Sequence, residues 1–62
     1  MELSLAPEEV APLRRILTGY LSDLRVEISN TESYDLRSAL KREEAIVKSL
    51  VDRLQQAEGA QS

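Results

Sequence analysis

The stretch Tyr20–Lys41 reads YLSDLRVEISNTESYDLRSALK, and its middle differs in kind from its two ends. Before it and into it, Val10, Leu13, Ile16, Leu17, Tyr20, Leu21, Leu24 and Ile28 recur three and four residues apart, the period of one face of a helix. After it, Leu36, Ala39, Leu40, Ile46, Val47, Leu50, Val51, Leu54 and Ala57 repeat the pattern with Lys, Arg and Glu between them. Between the two runs stand Ser29, Asn30, Thr31, Glu32 and Ser33. Side chains of this kind bond backbone amides at turns and helix starts, with Thr31 or Ser33 placed as N-cap.

The spacing predicts helix one over about 7–29, a turn over about 30–33, helix two over about 34–57 and a frayed tail at 58–62. So short a link favours antiparallel neighbours. The fold class expected is all-α, a two-helix hairpin. The start of helix one is open between Pro7, whose two following glutamates resemble a first turn, and Pro12, which would lack a donor inside a helix. Gly59 reads as a stop signal, with nothing apolar after it to anchor the chain.

Each apolar stripe spans about 140° of its helix, wider than the seam of a two-stranded coiled coil. One part can face the other helix and the rest needs a further partner. The chain has 62 residues, no cysteine and no histidine, so disulfides and the commonest metal ligands are excluded as stabilisers. Association remains. The simplest closure is a homodimer, a four-helix bundle whose core holds Leu13, Ile16, Leu17, Tyr20, Leu21, Leu24, Leu36, Leu40, Val47, Leu50 and Leu54.

Eleven acidic and eight basic residues give a net charge of −3, which opposes broad attraction to nucleic acid or anionic membrane and favours a protein partner. No apolar run approaches the roughly 20 residues of a membrane span, and MELSLAPEE has no basic region before an apolar core. The expected setting is cytoplasmic. No cofactor, metal or catalytic residue is expected: the only glycines, Gly19 and Gly59, form no phosphate loop, and Glu-x-x-His metal motifs need a histidine. The function expected is a non-enzymatic oligomerisation or protein-interaction module.

Four polar or small-residue features qualify that reading. Glu43 lies within the stripe of helix two, level with Tyr20; its carboxylate either accepts the Tyr20 hydroxyl or reaches to water from the stripe's edge. Glu27 flanks the stripe near the turn, with Arg37 and Lys41 as candidate partners. Thr18, Gly19, Ser22 and Val26 make the outer face of helix one unusually small, which suits either solvent or the docking of another protein helix. Arg37, Lys41 and Arg42 on helix two give the alternative function, a small nucleic-acid-binding regulator, although acidic residues interrupt that face and no aromatic side chain is placed to stack on bases.

Leu21, Leu24, Arg25, Glu27, Ile28 and Thr31, followed by Arg37, Leu40 and Lys41, form an L-x-x-L-R-x-E-I-x-x-T core with a following R-x-x-L-K. In this the chain resembles small uncharacterised bacterial helical-hairpin proteins. The resemblance implies a short bacterial helical protein, and Pro12 departs from the unbroken helix it leads one to expect.

Overall fold

In the computed structural model, which describes residues 4–60 and all but the side chain of Ala60, two helices fold back on one another. Helix α1 is Pro7–Asn30 and helix α2 is Tyr34–Ala60. The first helix begins at the earlier of the two prolines. Pro7 needs no donor at a first helical position, and the entry is closed reciprocally: the Glu9 amide donates to the Ala6 carbonyl at 2.9 Å, and the Ala6 amide donates to Glu9 Oε1 at 2.7 Å. Pro12 then lies within the helix, exposed, without an amide to offer the Glu8 carbonyl one turn back.

The turn is held by its own side chains. The Thr31 amide donates to the Glu27 carbonyl at 3.0 Å and ends α1, while the Leu36 amide donates to Ser33 Oγ at 3.3 Å. Ser33 is therefore the residue that caps α2. Arg37 reaches back to the Thr31 carbonyl, Nη2 to O 2.6 Å, and so closes the turn from the far side.

Two heptad rows on each helix make the seam. On α1 they are Val10, Leu17, Leu24 and Arg14, Leu21, Ile28; on α2 they are Leu40, Val47, Leu54 and Glu44, Val51, Glu58. Val10, Leu21, Leu24, Val47, Val51 and Leu54 are buried, and Leu17 packs against the cluster of Leu21, Val47 and Val51. The charged members of these rows lie at the seam's margin and pair across it. Arg14 Nε meets Glu58 Oε2 at 2.5 Å and Arg25 Nε meets Glu44 Oε2 at 3.0 Å.

The expected tail is corrected in part. Helix α2 does not stop before Glu58 but continues through Gly59 to Ala60, because Glu58 still faces α1 and finds Arg14 there. Residues 61–62 of that expected tail lie outside the described residues.

Candidate interaction surface

A helix pair is one layer thick. The extents of 43 × 23 × 14 Å leave the shortest dimension close to the roughly 10–12 Å diameter of a single helix with its side chains. A core enclosed from every side needs a second layer. The accessible surface shows the same shortfall. The chain exposes 4936 Å², where a compact protein of 7.0 kDa exposes about 4000 Å².

Two contacts distinguish the sides of the hairpin. Tyr20 and Glu43 meet along one side of the seam, whereas Arg25 and Glu44 meet along the other. On the Arg25 side the rows are polar or small: Ala11, Thr18 and Arg25 on α1, and Lys41, Lys48 and Gln55 on α2. The Tyr20 side is different. Its rows are Leu13, Tyr20, Glu27 beside Glu9, Ile16 on α1, and Leu36, Glu43, Leu50, Ala57 beside Ala39, Ile46, Arg53 on α2.

That flank holds most of the exposed large apolar side chains, with Ile16 65%, Ile46 62% and Leu36 51% accessible and Tyr20 and Leu50 less so. Elsewhere Val26 and Tyr34 are exposed singly, which is ordinary for a protein surface. A shallow hollow near the turn opens on this flank, lined by Glu27, Asn30, Thr31, Leu36 and Leu40, and a second, lined by Ala45, Ile46, Ser49, Leu50 and Arg53, runs from its edge onto the outer face of α2.

At the centre of the flank the Glu43 carboxylate lies beside the Tyr20 hydroxyl as its acceptor. Hydrogen bonding to Glu43, followed by desolvation and by the negative charges of Glu43 and Glu27, holds the phenol above its ordinary pKa of 10.0. Glu43 is at the same time exposed, so it serves the register contact from the stripe's edge.

The eleven residues expected in a dimer core divide into groups within one hairpin. Leu21, Leu24, Val47 and Leu54 are buried, Leu13, Leu17 and Leu40 are half-buried, and Ile16, Tyr20, Leu36 and Leu50 remain exposed. Val10 and Val51 join the buried core although that set did not include them: Val10 shares the heptad row of Leu17 and Leu24, and Val51 packs with Leu21 and Val47. The row pattern in the sequence carries that signal.

Thr18, Gly19, Ser22 and Val26 are all exposed on α1, away from the seam. Thr18 Oγ1 donates to the Arg14 carbonyl of its own helix at 2.7 Å, and a methyl group added at Gly19 would meet nothing within 4 Å. The basic residues of α2 do not converge. Arg37 is engaged at the turn, and from it to Lys41 and Arg42 the side chains fan over about 140° of the helix. Among the described residues Arg37 and Lys41 form no ion pair with Glu27; the ion pairs are Arg14–Glu58, Arg25–Glu44 and Lys48–Asp52.

Among the described residues no helix is long and apolar enough to cross a membrane, and no group of acidic side chains is placed to hold a metal ion. No protein family, curated protein or solved structure matches the chain. The class of protein that the fold defines is an all-α helical hairpin with one apolar flank uncovered.

Proposed function

We propose that the protein is a non-enzymatic self-association module of the cytoplasm, in which two hairpins close their Tyr20 flanks on each other as a four-helix bundle. The observation that carries this reading is a one-layer hairpin whose exposed large aliphatic side chains gather on one flank. The area agrees. The surface in excess of a compact chain, about 900 Å², is close to the roughly 800 Å² that one partner contributes to a standard interface. Pairing would cover Ile16, Leu36, Ile46 and Leu50 together, and burial at about 25 cal/mol per Å² of apolar surface makes that flank the largest source of stabilisation still unused.

An isologous pair of identical flanks also needs no second gene product. If folding and pairing are linked in this way, the melting temperature rises with protein concentration. Circular dichroism melts over a hundredfold concentration range test it: a midpoint independent of concentration, in a chain of full helicity, contradicts the reading.

A further inference from the structure

Two flat hairpins can be stacked about a twofold axis in two ways. With the axis along the helices, the two turns lie at the same end and each α1 covers the partner's α2. With the axis across them, the turns lie at opposite ends and each helix covers its own copy. The order of side chains along the flank separates these arrangements.

Heights follow from about 1.5 Å of rise per residue, counted from the turn at Glu32. On α1 the flank then carries Tyr20 at about 18 Å, Ile16 at 24 Å, Leu13 at 28 Å and Glu9 at 34 Å. On α2 it carries Glu43 at about 16 Å, Ile46 at 21 Å, Leu50 at 27 Å and Arg53 at 32 Å. The two rows run in step. When turns coincide, Ile16 meets Ile46 of the other copy, Leu13 meets Leu50, Glu9 stands against Arg53, and Tyr20 stands against a second Glu43. When turns are opposed, Glu27 of one copy comes level with Glu9 and Leu13 of the other, and the two Glu43 carboxylates approach each other. That arrangement sets acid against acid twice and leaves Arg53 above Leu36.

We infer that the partner on this flank is a second copy of the chain with its turn at the same end, α1 lying over α2, and with Glu9 and Arg53 as the charge pair that fixes the orientation. The inference rests on the self-association reading above. It deepens that reading by choosing one of two dimers. Glu9 keeps its capping bond through Oε1, which leaves the second carboxylate oxygen for the arginine.

The absence of cysteine allows a single probe to be placed at the turn. Glu32→Cys, nitroxide-labelled on an exposed residue of the turn, is measured by pulsed dipolar spectroscopy in the full chain. Turns at one end give a label separation below about 25 Å, from layers packed 8–10 Å apart plus the label arms. A separation near the 43 Å length of the hairpin would overturn the orientation while leaving self-association standing. Absence of any intermolecular dipolar signal would overturn both. Independently, Arg53→Gln should weaken the dimer about two- to fivefold in the native background and have no further effect in Glu9→Gln, a variant that preserves the capping geometry. Equal weakening in both backgrounds would contradict the Glu9–Arg53 pair.

Discussion

Arg14 and Glu58, 44 residues apart in sequence, join at the open end of the hairpin, Nε to Oε2. Both side chains are about one-third exposed, so the pair contributes little to global stability, on the order of 0–1 kcal/mol. Its effect is local. It holds the last turns of α2 against α1 beyond Leu54, where burial becomes incomplete.

Replacing Arg14 with Met should therefore release the end of α2 and little else. Amide hydrogen exchange is expected to quicken from Gln56 to Gly59 while Val47 and Val51 keep their protection. Uniform loss of protection along α2 would show instead that the pair supports the whole hairpin.

Tyr20 gives a prediction in pH. Its phenol is held above the ordinary value of 10.0 by the hydrogen bond to Glu43 first, then by desolvation and by the Glu43 and Glu27 charges. The folded chain thus binds this proton more tightly than the unfolded one. The contribution is fully present below about pH 10 and is lost as pH rises through the folded value. In Tyr34→Phe, where Tyr20 is the sole tyrosine, ultraviolet titration should place its midpoint above 10.0, and adding Glu43→Gln should lower it. A midpoint that does not respond to Glu43→Gln would show that the bond is absent in solution.

Gly19 sits in α1 with open space where a Cβ would stand. Gly19→Ala is expected to stabilise the protein by about 0.4–1 kcal/mol, because alanine loses less backbone freedom on folding and meets no neighbour. Gly19→Arg should leave self-association unchanged, since Gly19 lies off the Tyr20 flank. Urea denaturation measures the first effect and sedimentation velocity the second. A destabilised Gly19→Ala would reveal a close approach on that face.

The heptad content of the two helices was legible in the sequence, because Leu17, Leu21, Leu24, Val47 and Leu54 repeat at a spacing that only a helix brings to one side. What the spacing does not encode is the direction in which each stripe is cut. Leu13, Tyr20 and Glu27 lie one row away from Val10, Leu17 and Leu24, a shift of about 60°, and both rows fall inside one apolar stripe. The packing of Leu21 with Val47 and Val51 shows which rows face α2, and the pairing of Tyr20 with Glu43 and of Arg25 with Glu44 shows on which side each remaining row lies. The end of α2 lies beyond the point its local sequence indicates, for a related reason. Gly59 is a local stop signal, but Glu58 has a partner 44 residues away, and no local pattern announces it. Charge likewise makes Arg37 and Lys41 candidate partners of Glu27, whereas the reach of Arg37 to the Thr31 carbonyl depends on the geometry of the closed turn.

Core and flank should respond differently to a charge. Half-buried Leu17 packs on Leu21, Val47 and Val51, so Leu17→Glu, which sets a carboxylate against that buried cluster, should abolish helicity and pairing together. Circular dichroism at high concentration should show the variant unfolded. A helical Leu17→Glu chain would mean that the seam is not the core.

Ile46, 62% exposed at the middle of the Tyr20 flank, gives the most direct test of self-association. Sedimentation equilibrium of the native chain should return twice its mass of 7.0 kDa, and Ile46→Glu, which leaves every buried seam residue in place, should shift that equilibrium to the single chain. A native chain that remains at 7.0 kDa with full helicity at concentrations of about 0.1 mM, where a Kd of 1 μM would leave it mostly paired, would contradict the four-helix bundle.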